Sequence, residues 1–345
     1  MDVMAAASLT WPEVVCPEDG TPLERSGAEL ICPRRHRWAV QDDIPRFVPR
    51  QSYADAFGLQ WKTFRQTQLD SHTKTTITRD RTQRCLGSDV WDLLHRKDRC
   101  DVLEVGCGAG RFTEILLSTS AFLTSVDLSV AVEANQENFP QTPRHRILQA
   151  DVRRLPFAQR QFDIVFCLGV VQHTPDPEQT MRKLYEQVKP GGWLVIDHYS
   201  YSLSEFTKSA FLFRMVLRSL PPATSLRWSR TLVDKLLPLH RVVRHRPVAH
   251  ALVTRLSPVL SYYHALPLDD ALQRDWSLLD TYDSLTDRFK HFRTKSQITK
   301  YLQGLGADTV FCAYGGNGVE ARCRRPAEAT PIRGKNYILN RRLHS

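Results

Sequence analysis

Long apolar runs are absent from this sequence, as are the features that direct a chain into or across a membrane. No apolar stretch reaches about 18 residues, which argues against a membrane-spanning helix. The first ten residues have neither the basic start nor the apolar length of a signal peptide, so we expect a cytoplasmic protein. The eight cysteines are scattered along 345 residues, a spacing that favours reduced thiols over a disulfide framework.

Acidic residues are scarce in one segment, and the net charge of +10 is concentrated there. Residues 201–265 contain ten lysines and arginines but only two acidic residues, Glu205 and Asp234. An excess of positive charge attracts anionic partners. The segment is therefore a candidate for contact with an anionic membrane surface or with RNA.

The most informative stretch is residues 102–112, Val-Leu-Glu-Val-Gly-Cys-Gly-Ala-Gly-Arg-Phe. It predicts a buried parallel strand, a tight glycine turn and the start of a helix, the order found in nucleotide sites. Glu104 precedes the turn, and its charge would repel a pyrophosphate but suit a ligand with an amino group and a sulfonium. The alternative is a dinucleotide-binding or purely structural turn, although dinucleotide sites usually have the spacing G-x-G-x-x-G.

The pattern E-x-G-x-G-x-G at 104–110 resembles the first motif of the class I S-adenosylmethionine-dependent methyltransferases, with a core like methyltransferase type 11. The resemblance is strong over 102–198 and moderate over 290–325. It implies S-adenosylmethionine as the cofactor and a methyltransferase as the enzyme. It also implies an α/β fold with a doubly wound, mostly parallel, seven-stranded sheet that ends in an antiparallel hairpin.

The same resemblance assigns roles in cofactor binding. Asp127, after a predicted strand at 121–126, would accept hydrogen bonds from both ribose hydroxyls. Asp151, after a strand at 145–149, would lie near the adenine amino group, unless it is an exposed turn residue. The implied cofactor-binding residues are Glu104, Gly106, Cys107, Gly108, Gly110, Asp127, Leu128, Asp151, Val152, Leu168 and Gly169.

Candidates for catalysis follow the next two predicted strands. His173 comes after the strand at 162–168 and titrates near neutral pH, so it is the leading candidate for a general base. A histidine that caps the turn before Pro175 is the alternative. Tyr199 ends the strand at 193–197 and, with His198 beside it, is a second candidate.

Residues 11–50 contain two pairs of candidate metal ligands, Cys16 with Asp19 and Cys32 with His36. Two close pairs on facing turns suit a four-ligand zinc site. The segment resembles the zinc ribbon of the large-subunit rRNA guanine-N1 methyltransferases and the small domain of the tRNA methyltransferase activator family. Because Asp19 stands where a ribbon has a cysteine, both a zinc site and a metal-free, degenerate ribbon are open.

The rest of the chain predicts further units. A helical lead-in at 51–100 makes Gln60 and Trp61 minor candidates for lining the cofactor site. The α/β alternation stops over 200–289, where helices at 204–219, 224–237, 248–256 and 268–280 predict a cap. The expected units are therefore a ribbon-like module at 11–50, the lead-in at 51–100, the core at 101–199 and 290–326, the cap at 200–289 and a disordered tail at 327–345.

The predicted cap favours a small-molecule acceptor, because a cap encloses its ligand. The reaction would be O-, N- or C-methylation of a metabolite, a sugar or a quinone-like lipid. Methylation of rRNA or tRNA, through the basic segment and the ribbon-like head, is the alternative. A non-catalytic binding protein of the same fold is a third hypothesis, against which the intact Glu104, Asp127 and Asp151 argue.

Overall fold

One mixed β-sheet organises the molecule, whose computed structural model describes residues 11–48, 55–96, 99–201 and 209–327. The strands of the described residues are β1 (Glu24–Ser26), β2 (Glu29–Ile31), β3 (Arg37–Gln41), β4 (Ile44–Phe47), β5 (Cys100–Val105), β6 (Ala121–Asp127), β7 (His145–Ala150), β8 (Phe162–Cys167), β9 (Val188–His198), β10 (Thr309–Gly315) and β11 (Gly318–Arg324). Their order across the sheet is β1-β2-β3-β4-β7-β6-β5-β8-β9-β11-β10. Strands β4 to β9 pair in parallel across the centre, and β11 and β10 add an antiparallel hairpin.

Helices connect and cover the strands. In the described ranges they are α1 (Asp55–Thr63), α2 (Asp70–Thr73), α3 (Ile77–Leu94), α4 (Thr113–Leu117), α5 (Ala131–Asn138), α6 (Pro177–Gln187), α7 (Ala210–Leu217), α8 (Pro222–Val243), α9 (Pro247–Leu256), α10 (Asp270–Thr286) and α11 (Lys295–Gly304). None of these helices combines the length and the apolar character that crossing a bilayer requires.

The alternation of side chains along the central strands explains why both faces of the sheet are covered. Val102 and Phe166 belong to one apolar cluster, which also contains residues of α3 and α4. Their neighbours Leu103 and Val165 belong to the other cluster, together with residues of α6 and α11. Successive residues of a strand point to opposite faces, so these strands are apolar throughout and buried on both sides. The expectation of a doubly wound α/β fold is confirmed at this level.

The number of strands differs from the seven expected, because the N-terminal module extends the sheet instead of standing apart from it. Strand β4 pairs in parallel with β7, through Arg46 opposite Gln149 and Phe47 opposite Ala150. Phe47 is buried in the main core. A bond from the Val15 amide to the Pro156 carbonyl, 2.9 Å long, adds a second attachment.

Several predicted boundaries were wrong. Helix α8 continues through Pro238, which was expected to break it, because this proline is exposed and water can bind the carbonyl it leaves without an amide partner. Strand β9 begins at Val188, before the glycine pair expected to form a loop, since Val188 already pairs with Phe162. The predicted tail lies outside the described residues beyond residue 327, and so does the start of the helix predicted at 204–219.

The helices α7 to α10 lie between β9 and α11 in the chain and share packing with the lead-in. Phe64, which follows α1, is buried in one apolar cluster with Val233 and Leu237 of α8 and Leu279 of α10. The lead-in and these helices therefore cover the sheet together. The edge they face is the one at which the parallel strands end, where doubly wound sheets bind their ligands.

Candidate active site

A cavity of about 650 Å³ lies at the carboxyl ends of the parallel strands. Its walls come from the glycine turn after β5, from the ends of β6 to β9, from α1 and from α10. This volume is within the range of roughly 300–1,000 Å³ typical of small-molecule sites. Seven of the predicted cofactor-binding residues line it: Gly106, Cys107, Asp127, Leu128, Val152, Leu168 and Gly169. Gln60 and Trp61 line it as well.

The glycine turn fits against its neighbours only because it has no side chains. Gly106 has a φ of +77°, and a Cβ atom there would lie 2.0 Å from the Cγ2 atom of Val170. Gly108 has a φ of +51°, and its Cβ would lie 2.9 Å from the Trp61 ring. Both backbone conformation and space therefore require glycine at these two positions.

The amide groups of this turn are already used inside the protein. The amides of Gly106 and Cys107 both donate to the Val126 carbonyl, at 2.7 and 3.1 Å. The Gly108 amide donates to Asp127 Oδ2 at 3.0 Å. A phosphate-binding turn needs such amides free to point at its ligand. This geometry favours a ligand held by the Asp127 carboxylate over a dinucleotide held by amides.

Asp127 lies at the end of β6 and borders the cavity. Its Oδ1 atom accepts hydrogen bonds from the amide and the hydroxyl of Ser129, both 2.8 Å long. Burial raises the pKa of the Asp127 carboxyl, while these donors oppose the increase. Oδ1 already accepts two hydrogen bonds and Oδ2 only one, so Oδ2 is the atom with room for a ribose hydroxyl.

The cavity lining does not include four of the predicted cofactor-binding residues, Glu104, Gly108, Gly110 and Asp151, and their contact with the cofactor stays a prediction. Glu104 is buried behind the turn, where its Oε2 atom accepts the hydroxyls of Thr113 and Ser125 at 2.6 and 2.8 Å. Burial raises the pKa of Glu104 to about 7. Its structural role is to tie β5 to α4 and β6, rather than to present a charge to a ligand. Gly108 and Gly110 are likewise in the turn but behind its surface.

Asp151 lies between two residues of the cavity lining, Ala150 and Val152. Its carboxylate accepts the backbone amide of Arg153 at 2.9 Å and pairs with the guanidinium of the same residue at 2.6 Å. It caps the short 3-10 turn Val152–Arg154, and it does not border the cavity. This geometry fits the alternative of a turn aspartate, and contact of Asp151 with adenine stays a prediction.

Two guanidinium groups that the sequence did not single out border the cavity. Arg81, on α3, pairs with Asp197, whose other oxygen accepts the Gly169 amide at 2.6 Å. Arg111, after the glycine turn, donates to Thr78 and Gln68 at 3.2 and 3.1 Å. Burial lowers the pKa of Arg111 to about 10, which leaves it charged at neutral pH. The two groups provide positive charge beside the turn.

His173 and Tyr199 meet in the cavity wall. His173 Nδ1 lies 3.2 Å from the Phe289 carbonyl, which can only accept, so Nδ1 carries the proton. Nε2 is then the acceptor, and it lies 3.2 Å from the Tyr199 hydroxyl. Burial lowers the pKa of His173 and raises that of Tyr199 well above its usual range. At neutral pH the imidazole is therefore neutral, with its basic nitrogen turned toward the tyrosine.

Asp287 completes this cluster, and the sequence analysis missed it. Its Oδ2 atom lies 3.1 Å from His173 Nδ1, and its other oxygen pairs with Arg214 of α7. The carboxylate is fully buried. His198, in contrast, points away from the cavity, and its Nδ1 contacts the Tyr199 carbonyl at 2.9 Å. Burial lowers the pKa of His198 to about 4, and we assign it a structural role.

The far end of the cavity combines polar and apolar walls. Asp280 and Asp283 of α10 line it, with Leu260 and Phe292 as apolar surface. Among the described residues, Asp283 Oδ1 has no hydrogen-bond partner, and neither does the side-chain amide of the fully buried Gln172. Buried polar atoms without partners are costly, and a polar ligand would satisfy them.

One sequence signal could have located this end. Asp280, Asp283 and Asp287 follow one another at intervals of three and four residues, so the first two share a helix face and the third ends the helix. The inner side of an ordinary amphipathic helix carries apolar residues rather than three acidic ones. Without the fold, however, nothing indicates that this face turns toward the strand ends.

A separate cluster lies in the N-terminal module, where the structure brings Cys16, Asp19, Cys32 and His36 together. His36 Nδ1 lies 3.5 Å from Cys16 Sγ and 3.3 Å from both Cys32 Sγ and Asp19 Oδ2. Tetrahedral zinc with thiolate, imidazole and carboxylate ligands would hold neighbouring ligand atoms roughly 3.3–3.8 Å apart. Asp19 Oδ1 accepts the amide and hydroxyl of Thr21, which leaves Oδ2 facing the other ligands. The four residues thus fit zinc by donor type and by spacing.

Comparison with known proteins agrees with the cavity geometry. Residues 103–196 match the family model described as "Methyltransferase domain". Over 127 residues the chain is 33% identical to the ubiquinone biosynthesis O-methyltransferase of Albidiferax ferrireducens, covering 36% of this chain and 50% of that protein. The corresponding protein of Pseudomonas putida is 31% identical over 129 residues, or 36% and 54% of the two chains. The chain thus spans about half the length of these curated relatives.

Solved structures include one of a magnesium protoporphyrin IX methyltransferase from Synechocystis with bound S-adenosylhomocysteine. It is 15% identical and covers 79% of this chain and 96% of that chain, with a TM-score of 0.41, a likeness too low to support any inference. The matched segment contains the second half of β5, all of β6 to β8 and most of β9, and it borders the cavity. Residues 103–196 are thus similar in sequence to a methyltransferase domain, and the cavity lies along this segment.

Proposed function

We propose that the whole protein transfers a methyl group from S-adenosylmethionine to a hydroxyl group of a small-molecule acceptor. One observation carries the proposal: a single cavity joins the glycine turn to the inner face of α10, with His173 and Tyr199 in its wall. A cofactor and an acceptor can therefore lie end to end, beside a group that can take a proton.

The cofactor end fits S-adenosylmethionine by its chemistry. Asp127 would accept the ribose hydroxyls, while Arg81 and Arg111 would balance the carboxylate of the methionine part. Leu128 and Val152 give the adenine an apolar contact. When bound, the cofactor supplies an electrophilic methyl carbon attached to a good leaving group. The protein mainly has to align the acceptor with that carbon and keep water away.

The acceptor hydroxyl has to lose its proton during methyl transfer, and the chain provides a base that can take it. His173 Nε2 can take it directly, or through the Tyr199 hydroxyl that lies 3.2 Å away. The imidazole then becomes positively charged, and the buried Asp287 carboxylate, 3.1 Å from Nδ1, stabilises that charge. The acceptor oxygen keeps the electron pair with which it bonds to the methyl carbon.

The acceptor end favours a small, partly polar molecule. Asp283, Gln172 and Asn317 offer hydrogen bonds, and Leu260 and Phe292 offer apolar contact. The curated relatives are named ubiquinone biosynthesis O-methyltransferases, and O-methylation is the chemistry we carry over to this chain.

RNA methylation is the second candidate, and the basic surface of α7 to α9 is the observation that favours it. Against it, the base and its neighbours lie in a cavity covered by α10 and α1 rather than in an open groove. A base within a folded RNA would have to enter that cavity to be methylated.

We further propose that the cluster of Cys16, Asp19, Cys32 and His36 binds a structural zinc ion. The four side chains would occupy all four coordination positions of the zinc ion, which leaves none open for catalysis. The ion would hold the turns that precede β1 and follow β2, and so stabilise the module that continues into β4.

Replacing the ribose-binding carboxylate should weaken cofactor binding. In Asp127→Ala, S-adenosylmethionine should bind roughly 10- to 100-fold more weakly, since hydrogen bonds to a charged group contribute about 1.5–3 kcal/mol each. Isothermal titration calorimetry measures the change. Asp308→Ala is the control, because this exposed aspartate precedes β10 and is not part of the cavity lining, and it should bind normally. Equal affinities of Asp127→Ala and the wild type would contradict the site.

Removing the base should slow methyl transfer without preventing cofactor binding. The assay measures S-adenosylhomocysteine released with a deproteinised low-mass extract of the source cells, and in parallel with their total RNA. The low-mass extract should support turnover, and His173→Ala should lower kcat by about 10²- to 10⁴-fold. Asp287→Asn should lower it less, because the base itself remains.

The pH dependence follows from the protonation state of the base. His173 acts when neutral, and burial lowers its pKa, so kcat should fall only below pH ~6.5, the ordinary value for histidine. This acid limb should disappear in His173→Ala. Turnover with RNA but not with the extract would contradict the proposed acceptor, and an unchanged kcat in His173→Ala would contradict the base.

Zinc binding can be measured by metal analysis of protein purified without chelators. The full chain should contain about one equivalent of zinc, and Cys32→Ser should lose it and unfold at a lower temperature. Cys312→Ser is the control, because Cys312 lies in β10, away from the cluster, and it should keep the metal. Zinc far below one equivalent in the unmodified protein would contradict the proposal.

A further inference from the structure

We propose that the outer surface of helices α7 and α9 docks the protein onto an anionic lipid bilayer. We call this surface the docking face and define it as the exposed residues of Ala210–Leu217 and Pro247–Leu256, with Arg218 and Arg246 at its borders. The proposal does not depend on the acceptor, or on whether methyl transfer occurs.

Helix α7 is apolar on the side that faces water. Phe211, Leu212, Met215 and Val216 are 54%, 66%, 52% and 62% exposed. Their spacing of i, i+1, i+4 and i+5 places all four on one face of the helix. The opposite face already packs on the protein through Leu217, so the exposed apolar side is not needed for folding. A helix that is apolar all round is normally buried on both sides.

Helix α9 continues the same surface. Val248, Leu252 and Leu256 recur every four residues and are 86%, 58% and 68% exposed. Ser209, directly before α7, joins the two helices, since its amide donates to the Arg255 carbonyl at 3.0 Å and its hydroxyl to the Leu256 carbonyl at 2.7 Å. The two apolar stripes therefore meet where α7 begins and α9 ends.

The concentration of exposed apolar side chains is specific to this part of the described chain. Ten of the fourteen large apolar residues that are exposed there lie between positions 211 and 256. Single exposed apolar residues are common on proteins, but a group of them on adjoining helices marks a site of contact.

Basic residues border the apolar stripes. Arg218 follows α7 and Arg246 precedes α9, and both are exposed. Within the described ranges, no carboxylate lies within ion-pair distance of either one. Asp234 is the acidic residue of α8, and it is paired with Arg274 at 2.7 Å. The positive charges at the border are thus available to an anionic partner.

A bilayer fits this combination better than the other occupants do. A second copy of the chain would bring two arginine-bordered faces together, and like charges repel. RNA would pair with the arginines but would leave leucine, valine and methionine without the stacking contacts that RNA-binding proteins use. Residues 328–345 carry four basic residues and one acidic residue, so they do not complement the face either. Anionic lipid offers phosphate for the arginines and hydrocarbon for the apolar side chains.

The docking face lies on the other side of a helix that contacts the active-site cluster. Arg214, on the inner side of α7, pairs with Asp287, which lies beside His173. A protein docked in this way would hold the acceptor end of its cavity close to the bilayer surface.

Vesicle co-sedimentation of the full chain tests the proposal. The protein should sediment with vesicles of phosphatidylcholine and phosphatidylglycerol but not with phosphatidylcholine alone, and binding should weaken as salt is added. The double variant Leu212→Ser/Leu252→Ser and, separately, Arg218→Glu/Arg246→Glu should each reduce binding at least about tenfold. Phe311→Ser is the control, since Phe311 is 45% exposed but lies in β10. Thermal unfolding of each variant shows that its fold is kept.

Three results would overturn the proposal. The first is a wild-type protein that does not bind anionic vesicles, and the second is an equal loss of binding in the Phe311→Ser control. The third is a wild-type dimer, seen by sedimentation velocity, that Leu212→Ser/Leu252→Ser converts to a monomer, because a second copy would then cover the face. If Leu212→Ser/Leu252→Ser folds poorly, Arg218→Glu/Arg246→Glu still tests the proposal.

Discussion

The site depends on how the glycine turn after β5 is held. Its first two amides donate to the Val126 carbonyl at the end of the neighbouring strand, and the Gly108 amide donates to Asp127. These bonds use the donors that a phosphate would require and place a carboxylate at the mouth of the turn. The same contacts that hold the turn leave the Asp127 carboxylate, rather than the turn's amides, facing the cavity. Glu104 supports the arrangement from behind, with its charge suppressed by burial.

The second constraint is the chain of contacts that joins α7 to the cavity wall. Arg214 pairs with Asp287, Asp287 lies beside His173, and His173 contacts the Tyr199 hydroxyl. Asp287 is distant in sequence from His173 and Tyr199. It lies close to them because the segment after α10 returns to the sheet next to β9. Helix α10 and the residues after it thus border both the cavity and His173. An outer surface suited to anionic lipid lies on the far side of α7.

Much of the core could be predicted from the sequence, because its signals are local. The apolar strands, the glycine spacing and Asp127 each follow from a short stretch of residues, and the strand positions agreed to within one or two residues for β6, β7 and β8. The place of Asp151 after β7 was also predicted, whereas its side-chain bond to Arg153, two residues later, could not be. The burial of Glu104 likewise depends on Thr113 and Ser125, residues elsewhere in the chain.

What the sequence could not provide were contacts between distant segments. The pairing of β4 with β7, which turns the N-terminal module into part of the sheet, leaves no mark on either strand. Asp287 and Arg81 are ordinary charged residues until the fold sets them beside the cavity.

The most direct test of the account is a crystal structure of the protein soaked with S-adenosylhomocysteine. The account predicts its ribose hydroxyls on Asp127 and its sulfur facing His173 and Tyr199, whereas a nucleoside bound elsewhere, or a phosphate group held by the amides of Gly106 to Gly108, would contradict it.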